Sequence, residues 1–164
     1  MAVALSGIFS GPALSAIDDK GRLAVPATLR NSIPKSDDGL MLCVTKHEKS
    51  DCLIAFGPDR LQRLLADIER EEQNAIARGQ EYDRDAANRR KFGLTEQVSL
   101  DGSGRFILPP VLKMLGKLEK AVFLHGAGEY FEIWNPETLM AADDSYAPLK
   151  AAAQYLMDNG GKRK

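Results

Sequence analysis

Hydrophobic positions along this chain fall into short runs separated by polar turn clusters, and the runs recur in the same order twice. In the first half, Leu14, Ala16 and Ile17 lead into the cluster Asp18-Asp19-Lys20-Gly21-Arg22, where Gly21 can take a positive φ. Arg22 to Val25 predicts a short strand, ended by Pro26, a residue suited to the first turn of a helix. The short helix spans Ala27 to Ile33, with Leu29 and Ile33 on one face and Pro34 closing it. Leu40 to Thr45 and Cys52 to Phe56 are apolar enough for buried strands joined by a polar loop. A helix is predicted from Gly57-Pro58 through about Glu72, with Leu61, Leu64, Leu65 and Ile68 as its apolar stripe.

The second half repeats this order. Strands are predicted at Gln97 to Leu100 and Arg105 to Leu108, then a helix from Pro109 to Leu115. Strands at Ala121 to Leu124 and Phe131 to Trp134 precede a helix from Pro136. Beyond it, Met140, Tyr146, Leu149 and Tyr155 are spaced as a helix face and are expected in the core. Strand pairs, short helices and duplication argue for an α+β fold.

The repeat can be measured. Asp18 and Asp101 are separated by 101 − 18 = 83 positions, and the same offset relates Phe9 to Phe92, Gly21 to Gly104, Arg22 to Arg105, Pro26 to Pro109 and Leu29 to Leu112. Further on, CLIAFGPDRL matches YFEIWNPETL, and the offset falls to 136 − 58 = 78 at Pro58 and Pro136. The five missing residues are assigned to the loop TKHEKSD, which becomes the tighter HGAGE. Each half alone has a thin core, so the halves are expected to share one and to bury more by self-association. Between them, Glu69 to Lys91 reads as a solvated helical pair, although Arg89-Arg90-Lys91 could instead add to a cationic face.

The net charge of −1 and pI near 6.1 give no bulk signal for nucleic acid, so any such case must rest on local charge. Cys43 and Cys52 lie in apolar stretches and read as small buried hydrophobes in a reducing compartment, not as a disulfide framework. The apolar start lacks a basic leader region, and no run approaches the length of a membrane span. A soluble, intracellular protein is expected. The end, Asn159 to Lys164, reads as a disordered basic tail.

Local charge gathers at the repeated turn. The first copy holds Asp18, Lys20 and Arg22, followed by Arg30 on the short helix; the second keeps Asp101 and Arg105, replaces Lys20 with Ser103, and keeps the later charge as Lys113. An arginine offers a rigid fork of donors suited to phosphate or a guanine edge, and a nearby glycine (Gly21, Gly104) lets backbone approach closely. The aspartates would be repelled by phosphate, so their expected task is to bond turn amides or hold the guanidinium. A purely structural turn with an internal ion pair carries equal weight from the residues alone. Catalytic readings are poor: His47 and His125 lack metal-ligand spacing and read as surface residues without a role, and no nucleophile–base set can be assembled. No cofactor, metal or small-molecule substrate is expected.

The motifs IDDKGRLAVPATLR and LDGSGRFILPPVLK, with the helix starts GPDRL and NPETL, resemble the MraZ family of bacterial transcription regulators from about Ile8 to Tyr155. The resemblance implies a tandem-duplicated, swapped-hairpin β-barrel of AbrB type, with the two halves forming one pseudo-dimeric unit. Its division would be 8–60 and 92–138 for the SpoVT/AbrB-like units, 61–91 for a helical connector, and 139–164 for a C-terminal helix and tail. It also implies a ring-shaped homo-oligomer, cytoplasmic and nucleoid-associated, on double-stranded DNA with repeated sites upstream of the division and cell-wall gene cluster. Arg22 and Arg105 would be DNA contacts, Lys20, Arg30 and Lys113 auxiliaries, and Asp18, Gly21, Asp101 and Gly104 organisers of the hairpins. Met1 to Ile8 precede the family's usual start, and the first half is expected to bind the more strongly. The alternative is an oligomeric interaction module whose turns are structural.

Overall fold

A computed structural model describes residues 5–160. The first half runs β1 (Pro12–Ala16), β2 (Arg22–Ala24), α1 (Ala27–Arg30), β3 (Lys35–Ser36), β4 (Gly39–Lys46) and β5 (Leu53–Phe56). Two connecting helices follow, α2 (Arg60–Ala77) and α3 (Arg84–Phe92). The second half comprises β6 (Glu96–Ser99), β7 (Arg105–Ile107), α4 (Pro110–Leu115), β8 (Ala121–Gly126), β9 (Phe131–Trp134) and α5 (Pro136–Met140). A 3-10 turn at Asp144–Tyr146 then leads into α6 (Ala147–Asp158). The class is α+β, with every strand pair antiparallel.

Strand pairing joins the halves. β1 pairs with β8 and β6 pairs with β4, so each half gives its first strand to the other. These strands form one sheet in the order β1-β8-β9-β5-β4-β3, with β6 also on β4, while β2 and β7 form a separate ribbon. The registers are reciprocal: Leu23 faces its own counterpart Phe106 in the ribbon, and Ile54 faces its own counterpart Glu132 in the sheet. No closed barrel forms among the described residues; Pro26 and Pro109, lacking an amide to donate, end the ribbon strands after three residues each.

Register also corrects the placing of the five-residue deletion. Cys43 pairs with Phe56, and Phe123 with Trp134, so Cys43 and Phe123 correspond at an offset of 123 − 43 = 80. Three of the five residues are therefore lost before β8, where the first half has β3 and the second has no strand. The hairpin loop accounts for the other two.

The main core lies between the sheet and the ribbon layer, and draws on both halves. Leu23, Val25 and Leu29 meet Phe106, Leu108 and Leu112 over sheet residues Leu42, Val44, Leu53, Val122, Leu124 and Ile133. The opposite sheet face is covered twice. Cys43, Phe56 and Leu64 pack under α2, and Phe123, Trp134, Leu139 and Ala153 pack under α5 and α6. Both cysteines are free and fully buried, and burial pushes the Cys43 thiol up to about 11.

Several element boundaries move. α1 ends at Arg30 although Ile33 is still buried, and α2 begins at Arg60 and continues to Ala77. The connector is a helical pair in which several cations lie against acids: Arg84 bridges Glu69 and Glu72 at 2.7 and 2.8 Å, and Lys91 and Arg90 lie near Glu71 and Glu48. Met140, Tyr146 and Leu149 pack against the core as expected, but the stripe is not one helix face. Met140 ends α5, Tyr146 lies in the 3-10 turn, and Tyr155 is exposed, because the turn at Asp143 re-phases the chain before α6. Asn159 and Gly160 close α6 by bonding to the Tyr155 and Met157 carbonyls; the rest of the expected tail, like Met1 to Ala4, lies outside the described residues.

Phe9 fastens the N-terminal segment to the second half. It is 1% exposed, meets Phe131 edge-on at 5.1 Å, and exchanges backbone hydrogen bonds with Gly128. Phe9→Ala should cost about 3–5 kcal/mol in urea unfolding. Because the halves share a sheet, wild type and variant should each unfold in a single transition by both fluorescence and circular dichroism; two separated transitions would contradict a common core.

Candidate nucleic-acid interface

The two motifs fold into near-identical turns. Asp18 Oδ1 accepts from the amides of Lys20 (2.9 Å) and Arg22 (3.0 Å), and Oδ2 accepts from Arg22 Nε at 2.7 Å. Asp101 does the same with Ser103 (2.9 Å), Arg105 N (3.0 Å) and Arg105 Nε (3.1 Å). Gly21 and Gly104 both sit at φ +77°, a conformation costly for any residue with a Cβ. Hydrogen bonds from the Arg22 amide to Asp18, and from the Arg105 amide to Asp101, hold both carboxyls below the usual carboxylate range. Half-exposed ion pairs of this kind add little stability because water screens them. Their effect is geometric: each guanidinium is gripped by its Nε edge. Among the described residues, its terminal Nη atoms have no hydrogen-bond partner.

The ribbon brings these turns into one frame. Leu23 and Phe106 point into the core, so Arg22, Ala24, Arg105 and Ile107 lie on the opposite, outer face. Arg22 faces Ile107, and Ala24 faces Arg105. Bonds from Leu108 N to Gly21 O and from Val25 N to Gly104 O flank these as non-hydrogen-bonded pairs, in which facing side chains come closest. Arg22 and Arg105 are diagonal neighbours, a relation of about 7–8 Å.

The other charged candidates have different surroundings. Lys20 is exposed at the tip of its turn, as is its counterpart Ser103. Arg30 is half-buried; its Nη1 donates to Val25 O at 2.9 Å, and its side chain lies over Gly104, where an added Cβ would come within 2.5 Å of Nη1. A first-half residue thereby braces the second-half turn. Lys113, the counterpart of Arg30, instead lines a cleft with Asp18, Asp19, Glu119 and Lys120.

The histidines are not the surface residues that sequence suggests. His125 is 6% exposed on β8, and its Nε2 lies 2.9 Å from Glu132 Oε1, which also accepts from Trp134 Nε1 at 2.8 Å. His47 is partly buried, with Nε2 3.6 Å from Glu132 Oε2 and Nδ1 accepting from the amides of Lys49 and Ser50. Burial pushes the Glu132 carboxyl up, but the bonds from His125 and Trp134 outweigh it and keep its pKa low. Burial lowers the His47 pKa. The group ties the first-half loop to β8 and β9, and no cluster of metal-ligating residues occurs among those described. Its sequence signal was a lone charge inside the apolar run Phe131 to Trp134. Ile107 was also missed as a surface residue, although period-two alternation sets it on the same face as Arg105.

These turns generate two expectations. Gly21→Ala meets nothing within 4 Å and should cost only the backbone term of about 1–2 kcal/mol. Gly104→Ala must also displace Arg30, so its urea midpoint should fall further; equal midpoints would remove Arg30 from its bracing role. The lowered carboxyls stabilise the fold above the ordinary aspartate value of 3.8, and that contribution is lost as pH falls through their still lower folded values. The melting-temperature gap between wild type and a doubly substituted Asp18→Asn, Asp101→Asn protein should thus be widest near neutrality and close below that pH.

A family model described as "MraZ protein, putative antitoxin-like" matches residues 92–158. The chain is similar to the Transcriptional regulator MraZ of Saccharophagus degradans, 31% identical over 137 residues that cover 82% of this chain and 87% of that protein. It is 34% identical over 131 residues to the protein of the same name from Legionella pneumophila strain Corby, covering 79% of this chain and 81% of that one. With the namesake from Burkholderia vietnamiensis, identity is 32% over 151 residues, covering 92% and 95%. Similarity of this extent across both repeats shows that the chain belongs to the MraZ family.

Proposed function

We propose that this protein is a DNA-binding transcription regulator, and that the outer face of the β2–β7 ribbon is what it presents to the duplex. One observation carries the reading: Arg22 and Arg105, 83 positions apart in sequence, share that face with their terminal nitrogens unpaired among the described residues. The major groove of B-DNA admits a two-stranded ribbon, and arginine is the residue best fitted to the paired acceptors of guanine. Relatives named as transcriptional regulators support the same class.

In this reading Lys20 and Lys113 add phosphate contacts, while Asp18, Gly21, Asp101 and Gly104 fix the arginines before DNA arrives, which reduces the entropy lost on binding. Arg30 acts through Gly104. The exchange of first strands between the halves supports a swapped-hairpin pseudo-dimer, in this reading over 8–60 and 92–138, with 61–91 as connector and 139–164 as the C-terminal element. Several copies in a ring would engage repeated promoter sites, including those of the division and cell-wall cluster, in the cytoplasm at the nucleoid. Multivalency then yields tight binding from weak individual contacts, despite a net charge of −1.

A second reading keeps the turns structural, in an assembly module without DNA; the bonding of each aspartate to its own turn amides favours it. Gel shifts on DNA upstream of the gene, at several salt concentrations, separate the two. Lys20→Ala, at a phosphate contact, should lower the log–log salt slope by about 1 per ribbon engaged, and Arg22→Ala should weaken binding and relax preference at the contacted base. Arg105→Ala should weaken it less, because Ser103 stands where the first turn has Lys20. Unchanged binding in Arg22→Ala would remove that residue from the interface, and a larger loss in Arg105→Ala would reverse the ranking.

A further inference from the structure

We infer that Ile107 is a specificity residue that reads the 5-methyl group of a thymine beside the base contacted by Arg22. This rests on the proposal that the ribbon face meets DNA. Ile107 is 67% exposed, on the outer face of a ribbon whose inner residues Leu23 and Phe106 are fully buried. It lies directly opposite Arg22 in a non-hydrogen-bonded pair, where facing side chains approach most closely. An arginine fork and an apolar branched side chain, side by side, match what neighbouring guanine and thymine present in the major groove: two acceptors on one, a methyl group on the other.

The repeat supplies an internal control. The same offset of 83 pairs Ile107 with Ala24, Val111 with Thr28, and Met114 with Asn31. Val111 and Met114 are 52% and 67% exposed, so in sequence the second half carries an exposed apolar strip from Ile107 into α4, where the first half is small or polar. Directly across the ribbon, Arg22 thus faces a bulky apolar side chain and Arg105 faces the Ala24 methyl, while Ile107 follows Arg105 two residues along its own strand. Core packing cannot account for the difference, since these side chains face outward. Nor does the strip suit an apolar protein partner alone, because Arg22 and Arg105 are continuous with it and would need an anionic counterpart. A duplex supplies both. The consequence is that a ribbon of two related halves reads a non-palindromic sequence, with thymine discrimination at the Arg22 end only.

The test uses the full-length protein and a duplex from upstream of its own gene, with the bound segment located by footprinting. Each thymine in that segment is replaced singly by deoxyuridine, which removes the methyl and leaves base pairing intact. Wild type should lose about fourfold in affinity at one thymine, the worth of one buried methyl group. Ile107→Ala should bind the thymine duplex about as weakly as wild type binds the uracil one, and should not distinguish the two. Ala24→Ile should acquire a second uracil-sensitive position at the Arg105 end. The inference is overturned if wild type tolerates uracil at every position, if Ile107→Ala retains the full penalty, or if Ile107→Ala acts by changing the oligomer's mass in sedimentation. Failure of the underlying reading looks different: wild type would show no footprint, or Arg22→Ala would bind every duplex as wild type does.

Discussion

Leu23 and Phe106 face each other at the centre of the ribbon, and burying this pair in the shared core holds two turns 83 residues apart in one rigid frame. Everything at the candidate interface follows from that pairing. It turns Arg22 and Arg105 outward, makes each the diagonal neighbour of the other, and brings the carbonyls of Gly21 and Gly104 under amides from the opposite half. Separated, the halves would each have a three-residue ribbon strand with no partner and a core open on one side. A thin core and an incomplete site are therefore removed by the same contact.

Within that frame, the aspartates decide how precisely the arginines are held. A flexible arginine loses much rotamer freedom when it docks on a rigid acceptor pair. Gripping the Nε edge removes part of that loss beforehand, and the same carboxylate satisfies two turn amides. Glycine at φ +77° is needed because the turn must reverse within a few residues. The motif is thus one device in which turn chemistry and ligand chemistry use the same atoms, so the bare sequence fits a structural turn and a binding turn equally well.

The halves differ at several places where symmetry sets equivalent positions against each other. In the sheet, Ile54 faces Glu132, so a carboxylate that its counterpart lacks is buried and held by His125 and Trp134. In the ribbon, Ala24 and Ile107 occupy equivalent places. Arg30 covers the second turn while Lys113 stands beside acids near the first. Duplication provides the scaffold, and these unmatched positions give its two ends different surfaces.

Much of this was legible in the chain. The offset of 83, the turn glycines, the prolines that stop the strands and the order of apolar runs are local features, governed by backbone sterics and side-chain periodicity, and they located the elements and the charged turns. Sequence could not show which strand pairs with which, because that depends on burial between distant segments. Hence sequence spacing places the five-residue deletion in one loop where register divides it between two, and periodicity alone does not bury His125 or expose Ile107. Sequence by itself determined that two arginine-bearing turns exist and how each folds. Only tertiary structure decided that they share one face, with an isoleucine opposite one and an alanine opposite the other, because cross-strand register is fixed by a core built from both halves.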